Sequence, residues 1–178
     1  MASQRLMIIR HAEKPDESAD GVTPEGADDA ESLIVRGWQR AGALAQFFRA
    51  RSEVTPLVIF AAGAGHKSNS KRPMQTVTAL AALLAPNPGF EFITKYLKDD
   101  LQNLIADVLP RPGPILIAWE HKLIPALIGL LPDAPDVPDA WPDDRFDIVW
   151  VLDRTESGWI FSQLPQLLLA GDSSAPIT

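Results

Sequence analysis

The chain has 178 residues, 46% of them hydrophobic, with 23 acids against 16 bases and a formal net charge of −7. That length suits one domain, and folding removes about 70% of the unfolded chain's surface from water. The acidic balance argues against a general binder of nucleic acid or acidic membrane, and the absence of cysteine excludes disulfides and thiolate metal sites.

The N-terminal stretch MASQRLMIIRHAEK has no apolar segment of signal-peptide length, and no run approaches the roughly 20 apolar residues of a membrane span. A soluble, cytoplasmic protein is expected. The first apolar run, residues 6–9, has strand length and ends at once in Arg10 and His11. Residues 14–32 are acidic and read as a long loop, with TPEG at 23–26 as a turn. RGWQRAGALAQFFRA then sets Trp38, Ala41, Ala45 and Phe48 on one helical stripe.

PLVIFAA, residues 56–62, is a second strand. AGAGHKS, residues 62–68, is not a phosphate loop, because His66 rather than Gly precedes Lys67; it reads as a flexible loop with His66 at the surface or on a pocket rim. SKRPMQTVTALAALL aligns Met74, Val77, Ala81 and Leu84, and Pro73 restricts the helix start to Lys71 or Arg72. LQNLIADVL is a shorter helix. PILIAWE, residues 114–120, is a third strand and runs into His121. Pro125 lets the helix of KLIPALIGLL start only near Lys122. The Pro-rich segment 131–144 is a loop, and FDIVWVL and GWIFSQL are two further strands around the turn DRTESG.

Strand and helix alternate, which predicts an α/β fold: a three-layer sandwich with a mainly parallel central sheet and helices on both faces. Residues 1–170 form one domain in this reading, and 171–178 a flexible tail that is small, polar and Pro-containing.

Ligands of open α/β sheets bind beyond the carboxyl ends of the strands. Here those ends carry Arg10 and His11, the loop leading to Arg72, and Glu120 with His121. Two guanidiniums and two imidazoles on one spot suit a phosphoryl group. Guanidinium forks grip its oxygens, and a helix start adds N–H donors. A neutral imidazole is nucleophilic if its other nitrogen is tied to a carbonyl or carboxylate. A second imidazole, held protonated by the dianion, neutralises developing charge. A metal held by His11, Glu13, Glu120 and His121 is disfavoured by the neighbouring arginines.

These residues resemble a family. IIRHAEKP is similar to the Arg-His-Gly/Ala signature of the histidine phosphatase, or phosphoglycerate mutase-like, superfamily. LIVRGWQRAGALA resembles the helix that follows it, with Leu33, Gly37, Arg40-Ala41 and Leu44-Ala45. SNSKRPMQT resembles its Ser-x-x-x-Arg-x-x-Gln-Thr segment through Ser68, Arg72, Gln75 and Thr76, and ILIAWEHKLIPALI the strand that ends in the second histidine. The resemblance implies a phosphorylated nucleophile at His11, a clamp of Arg10 and Arg72, and His121 as the fourth member, with no metal or organic cofactor.

The resemblance also implies a proton donor a helix after the second arginine, where Asp99 and Asp100 stand; by spacing they are favoured over Glu120. Trp119 is expected to desolvate Glu120, and Glu13 to orient the loop. Lys122 occupies the position where phytase-like members carry Asp, which argues against that branch. The short chain leaves no room for a large cap. The expected activity is therefore a cofactor-independent phosphatase for a phosphorylated small molecule or phosphoprotein. A phosphoglycerate-type mutase and a non-catalytic phosphate-binding module are the alternatives.

Overall fold

Four apolar runs become strands whose successive residues face opposite layers of core, which is why they read as continuous rather than alternating. In the computed structural model, which describes residues 4–66 and 68–178, the order is β1 (Arg5–Arg10), α1 (Val35–Arg49), β2 (Val58–Ala61), α2 (Arg72–Leu84), β3 (Glu91–Ile93), α3 (Leu101–Val108) and β4 (Ile115–Trp119). A 3₁₀ turn at His121–Leu123 leads into α4 (Ile124–Ile128), and β5 (Ile148–Thr155) and β6 (Gly158–Pro165) complete the chain's elements. Lys67 of the AGAGHKS segment lies outside the described residues.

The sheet order is β3-β2-β4-β1-β5-β6. β1, β2, β3 and β4 pair in parallel, while β5 runs antiparallel to β1, and β6 to β5. Met7 and Ile9 of β1 join α1 and α2 in one core; Leu6 and Ile8 join α3 and α4 in the other. β2, β4 and β5 divide in the same way, so the molecule is the three-layer sandwich expected. Truncating one of these wholly buried strand residues, as in Ile8→Ala, costs about 2–5 kcal/mol.

α2 starts at Arg72 with Pro73 in its first turn, where the missing N–H removes no helical bond. β3 has no counterpart in the sequence reading. It is a three-residue edge strand with Glu91 and Phe92 exposed, too short and too open to show a hydrophobic period. The tail also departs from expectation, since 171–178 is docked rather than frayed. Ile177 is buried and exchanges hydrogen bonds with Gln163, and the Asp172 side chain, 3% exposed, lies against Arg40. Among the described residues no helix is long and apolar enough to cross a membrane.

Register positions the site. β1 and β4 pair as neighbours with Arg10 opposite Trp119, and the His11 N–H donates to the Trp119 carbonyl at 3.0 Å. β2 lies on the other side of β4, so the loop leading to Arg72 emerges at the same edge.

Candidate active site

His11 is the first residue past β1 and only 5% exposed. Its Nδ1 lies 2.7 Å from the Ala12 carbonyl, which accepts a hydrogen bond from the Nδ1–H and leaves Nε2 with the free lone pair. Burial, together with the charges of Arg10, Arg72 and His121, pushes the imidazole down to about 3, against the backbone hydrogen bond. The ring is therefore neutral across physiological pH.

Three motif residues hold this segment in place. The Ala12 N–H donates to Thr76 Oγ1 at 2.8 Å, and Thr76 donates to the Arg72 carbonyl. Gln75 accepts from the Leu33 N–H at 2.9 Å and donates to Ser32 Oγ. A Cβ at position 37 would lie 2.6 Å from the Glu13 carbonyl oxygen, so Gly37 lets α1 approach the backbone beside the histidine. Glu13 is 7% exposed and accepts a forked set of bonds from Arg40, whose guanidinium also grips Asp172. Its surroundings are those of a scaffold.

Arg10 continues the β1 face that points to α3 and α4 and is 2% exposed. Its Nη1 donates to the carbonyls of Pro142, Asp143 and Arg145 at 2.8–3.1 Å, and its carbon lies 3.8 Å from the Phe146 ring centroid. Nε and Nη2 are buried without a partner, and burial lowers the guanidinium to about 10. Arg72 donates from Nη1 to the Ala30 carbonyl at 2.9 Å, while its Nε is buried and unpartnered. Leaving such a donor unsatisfied costs about 1–3 kcal/mol, and more when it is charged.

A cavity of about 220 Å³ opens over these groups. His11, Arg72, Glu120 and His121 line it together, as do Lys14, Lys98 and Lys122. Arg10 is not part of the lining and lies behind the wall. The His11 and His121 ring centroids are 6.4 Å apart. Of the candidate proton donors, Glu120 reaches the cavity, where Lys98 Nζ lies 3.1 Å from its carboxylate. Asp99 is exposed and outside the lining; Asp100 accepts from Asn103 at the start of α3. Trp119 is wholly buried in the core and donates from Nε1 to the Lys98 carbonyl. His66 is exposed and outside the lining.

Sequence reasoning missed Asp143, whose Oδ1 lies 2.5 Å from His121 Nε2, and Glu31, which lines the cavity 3.9 Å from Arg72. A carboxylate in a loop, Asp143 in the Pro-rich one and Glu31 in the acidic one, carries no local signal of what it will face. Only the fold brings the loop across to β1 and β4.

No family model and no curated protein matches the sequence. Solved structures do match in fold. One is a mutant of phosphoserine phosphatase from Entamoeba histolytica in complex with phosphoserine, 12% identical, with a TM-score of 0.55 over 93% of this chain and 99% of that one. Another is phosphoglycerate mutase from Bacillus anthracis, 10% identical, with a TM-score of 0.54 over 92% and 93%. A third is a mycobacterial glucosyl-3-phosphoglycerate phosphatase complexed with VO3, 16% identical, with a TM-score of 0.50 over 89% and 96%. Taken with the sheet order, these matches show that the chain has the phosphoglycerate mutase-like fold.

Proposed function

We propose that the protein is a phosphatase that hydrolyses phosphate monoesters through a phosphohistidine at His11. The observation that carries this reading is a set of unpartnered buried donors, Arg72 Nε at the cavity with Arg10 Nε and Nη2 behind it, together with the unpartnered His121 Nδ1, around a neutral imidazole with Nε2 free. A tetrahedral dianion supplies the missing acceptors.

In the first step His11 Nε2 attacks phosphorus, the P–O bond to the alcohol breaks, and the leaving oxygen takes a proton from the Glu120 carboxyl. Arg72 and the His121 imidazolium hold the equatorial oxygens as charge develops, and Arg10 adds its positive charge from behind the wall. Water then attacks phosphorus as it gives a proton back to Glu120; the O–P bond forms, the P–N bond breaks with its electron pair returning to His11 Nε2, and inorganic phosphate leaves. The substrate is a phosphorylated small molecule or phosphoprotein.

The test is hydrolysis of an aryl phosphate in the presence of a chelator, with rapid quenching in alkali to trap a base-stable, acid-labile phosphoenzyme. Activity and labelling are expected in the wild-type chain and absent in His11→Ala; unchanged hydrolysis in that variant defeats the proposal. The phosphoglycerate mutase among the fold matches motivates a second reading, transfer to another hydroxyl. Interconversion of 2- and 3-phosphoglycerate without net phosphate release would favour it.

A further inference from the structure

We infer that Asp143, in the Pro-rich loop between α4 and β5, is a positioning residue that orients the His121 ring and supports its imidazolium when phosphate is bound; this rests on the phosphatase reading above. The Asp143 carboxylate accepts from His121 Nε2 at 2.5 Å. That bond fixes the ring plane and turns Nδ1, which is buried and unpartnered, into the only polar atom of the ring left for a ligand. With the Nε2 proton committed to Asp143, a neutral ring shows phosphate a lone pair at Nδ1. It becomes a donor only after taking up a second proton, and a carboxylate on the far nitrogen favours that uptake.

The charges around the ring make the carboxylate matter. Arg10 and His11 face it from the end of β1, and Lys14 from the loop that follows. Burial and Arg10, with Lys14, disfavour the imidazolium, and Asp143 opposes them. Lys14 and Lys122 act in turn on Asp143.

The loop holds the Asp143 backbone in place, while the Asp143 side chain is 71% exposed apart from its bond to His121. Trp141 is buried, stacks 4.8 Å from Trp150 between ring centroids, and donates from Nε1 to the Arg145 carbonyl. The Asp143 main-chain carbonyl also accepts from Arg10 at 2.8 Å. One residue thus fixes one guanidinium through its backbone and one imidazole through its side chain. The two roles separate cleanly, because Asp143→Asn removes the carboxylate and keeps the carbonyl.

The experiment is an NMR titration of the histidine rings in the full chain saturated with inorganic phosphate, with His121→Gln to assign the signal. Asp143→Asn is expected to lower the proton affinity of His121 tenfold or more and to move the alkaline limb of the kcat profile to lower pH. Asp143→Glu is expected to restore part of both. Identical His121 midpoints in wild type and Asp143→Asn would overturn the inference. The titration reads His121 whether or not the chain turns over, so absent hydrolysis removes the phosphatase reading and still leaves Asp143 decided.

Discussion

The rings of His11 and His121 stand nearly perpendicular, at 85°, with centroids 6.4 Å apart, although each belongs to the end of a different strand. Their environments differ. His11 gives one nitrogen to a backbone carbonyl and His121 gives one to a carboxylate. A carbonyl leaves its ring neutral and nucleophilic, whereas a carboxylate favours a cation. In the proposed reaction the pair is divided between attack by His11 and charge stabilisation by His121.

The depressed His11 imidazole has a consequence for folding and for titration. Its folded pKa, about 3, lies below the unfolded value near 6.5, so the unfolded chain takes up that proton first. This contribution leaves stability unaffected above about pH 6.5 and reduces it as pH falls from there toward 3. In the ligand-free protein the His11 ring signals are expected to stay constant from pH 8 to about 4. A midpoint near 6.5 at His11 would contradict the buried, carbonyl-tied geometry.

Arg72→Lys keeps a positive charge but loses the planar fork, whose Nη1 holds the Ala30 carbonyl while Nε stays open. A fall in kcat/KM of about 100-fold is expected, in line with losing one preorganised oxyanion donor. Circular dichroism and melting should be nearly unchanged, since the Thr76 and Gln75 anchors of α2 remain.

The proton-donor role proposed for Glu120 is tested through the leaving group. Glu120→Gln is expected to slow hydrolysis of alkyl phosphates by about 10² to 10⁴, because the alkoxide needs a proton as it departs. A nitrophenyl phosphate, whose phenolate leaves unaided, should be affected far less. Equal losses on both substrates would remove Glu120 as the acid and direct attention to Glu31, the other carboxylate in the cavity lining.

Arg40, Glu13 and Asp172 form a buried charge cluster that ties the tail to the loop behind His11. Burial raises the Asp172 carboxyl, but bonds from Arg40 and from the Leu168 and Leu169 N–H groups outweigh it and bring it to about 2. Being depressed, it stabilises the fold fully above about pH 4, and that stabilisation disappears as pH falls toward 2. Asp172→Asn is expected to cost about 2 kcal/mol at pH 7. Tm should then fall by about 4–8 °C, and the difference from wild type should vanish near pH 2. A melting curve unchanged at pH 7 would show that the tail adds nothing.

Lys14 and Lys122 stand at the cavity mouth, and neither forms an ion pair with a carboxylate within 4.0 Å among the described residues. Esters bearing a second negative group are expected to bind better than neutral-tailed ones. The Lys14→Gln, Lys122→Gln double variant should raise KM about tenfold more, roughly 1.4 kcal/mol, for a phosphorylated carboxylic acid than for phenyl phosphate. Kinetics on the two substrates side by side decide this.

Local chemistry determined a good part of this protein. The runs at 6–9, 56–62 and 114–120 announce doubly covered strands, and Pro73 and Pro125 set where two helices can begin, because each signal is contained in a few neighbouring residues. Spatial neighbourhood is not contained in any such window. Tertiary structure alone decided that Glu120 rather than Asp99 faces the cavity, that Arg10 lies behind its wall, that residues 171–178 dock on Arg40 and Gln163, and that Asp143 lies against His121. The physical reason is range: hydrophobic periodicity and proline geometry act over a turn or two of chain, whereas a carboxylate acts on whatever the fold sets within a few ångströms of it.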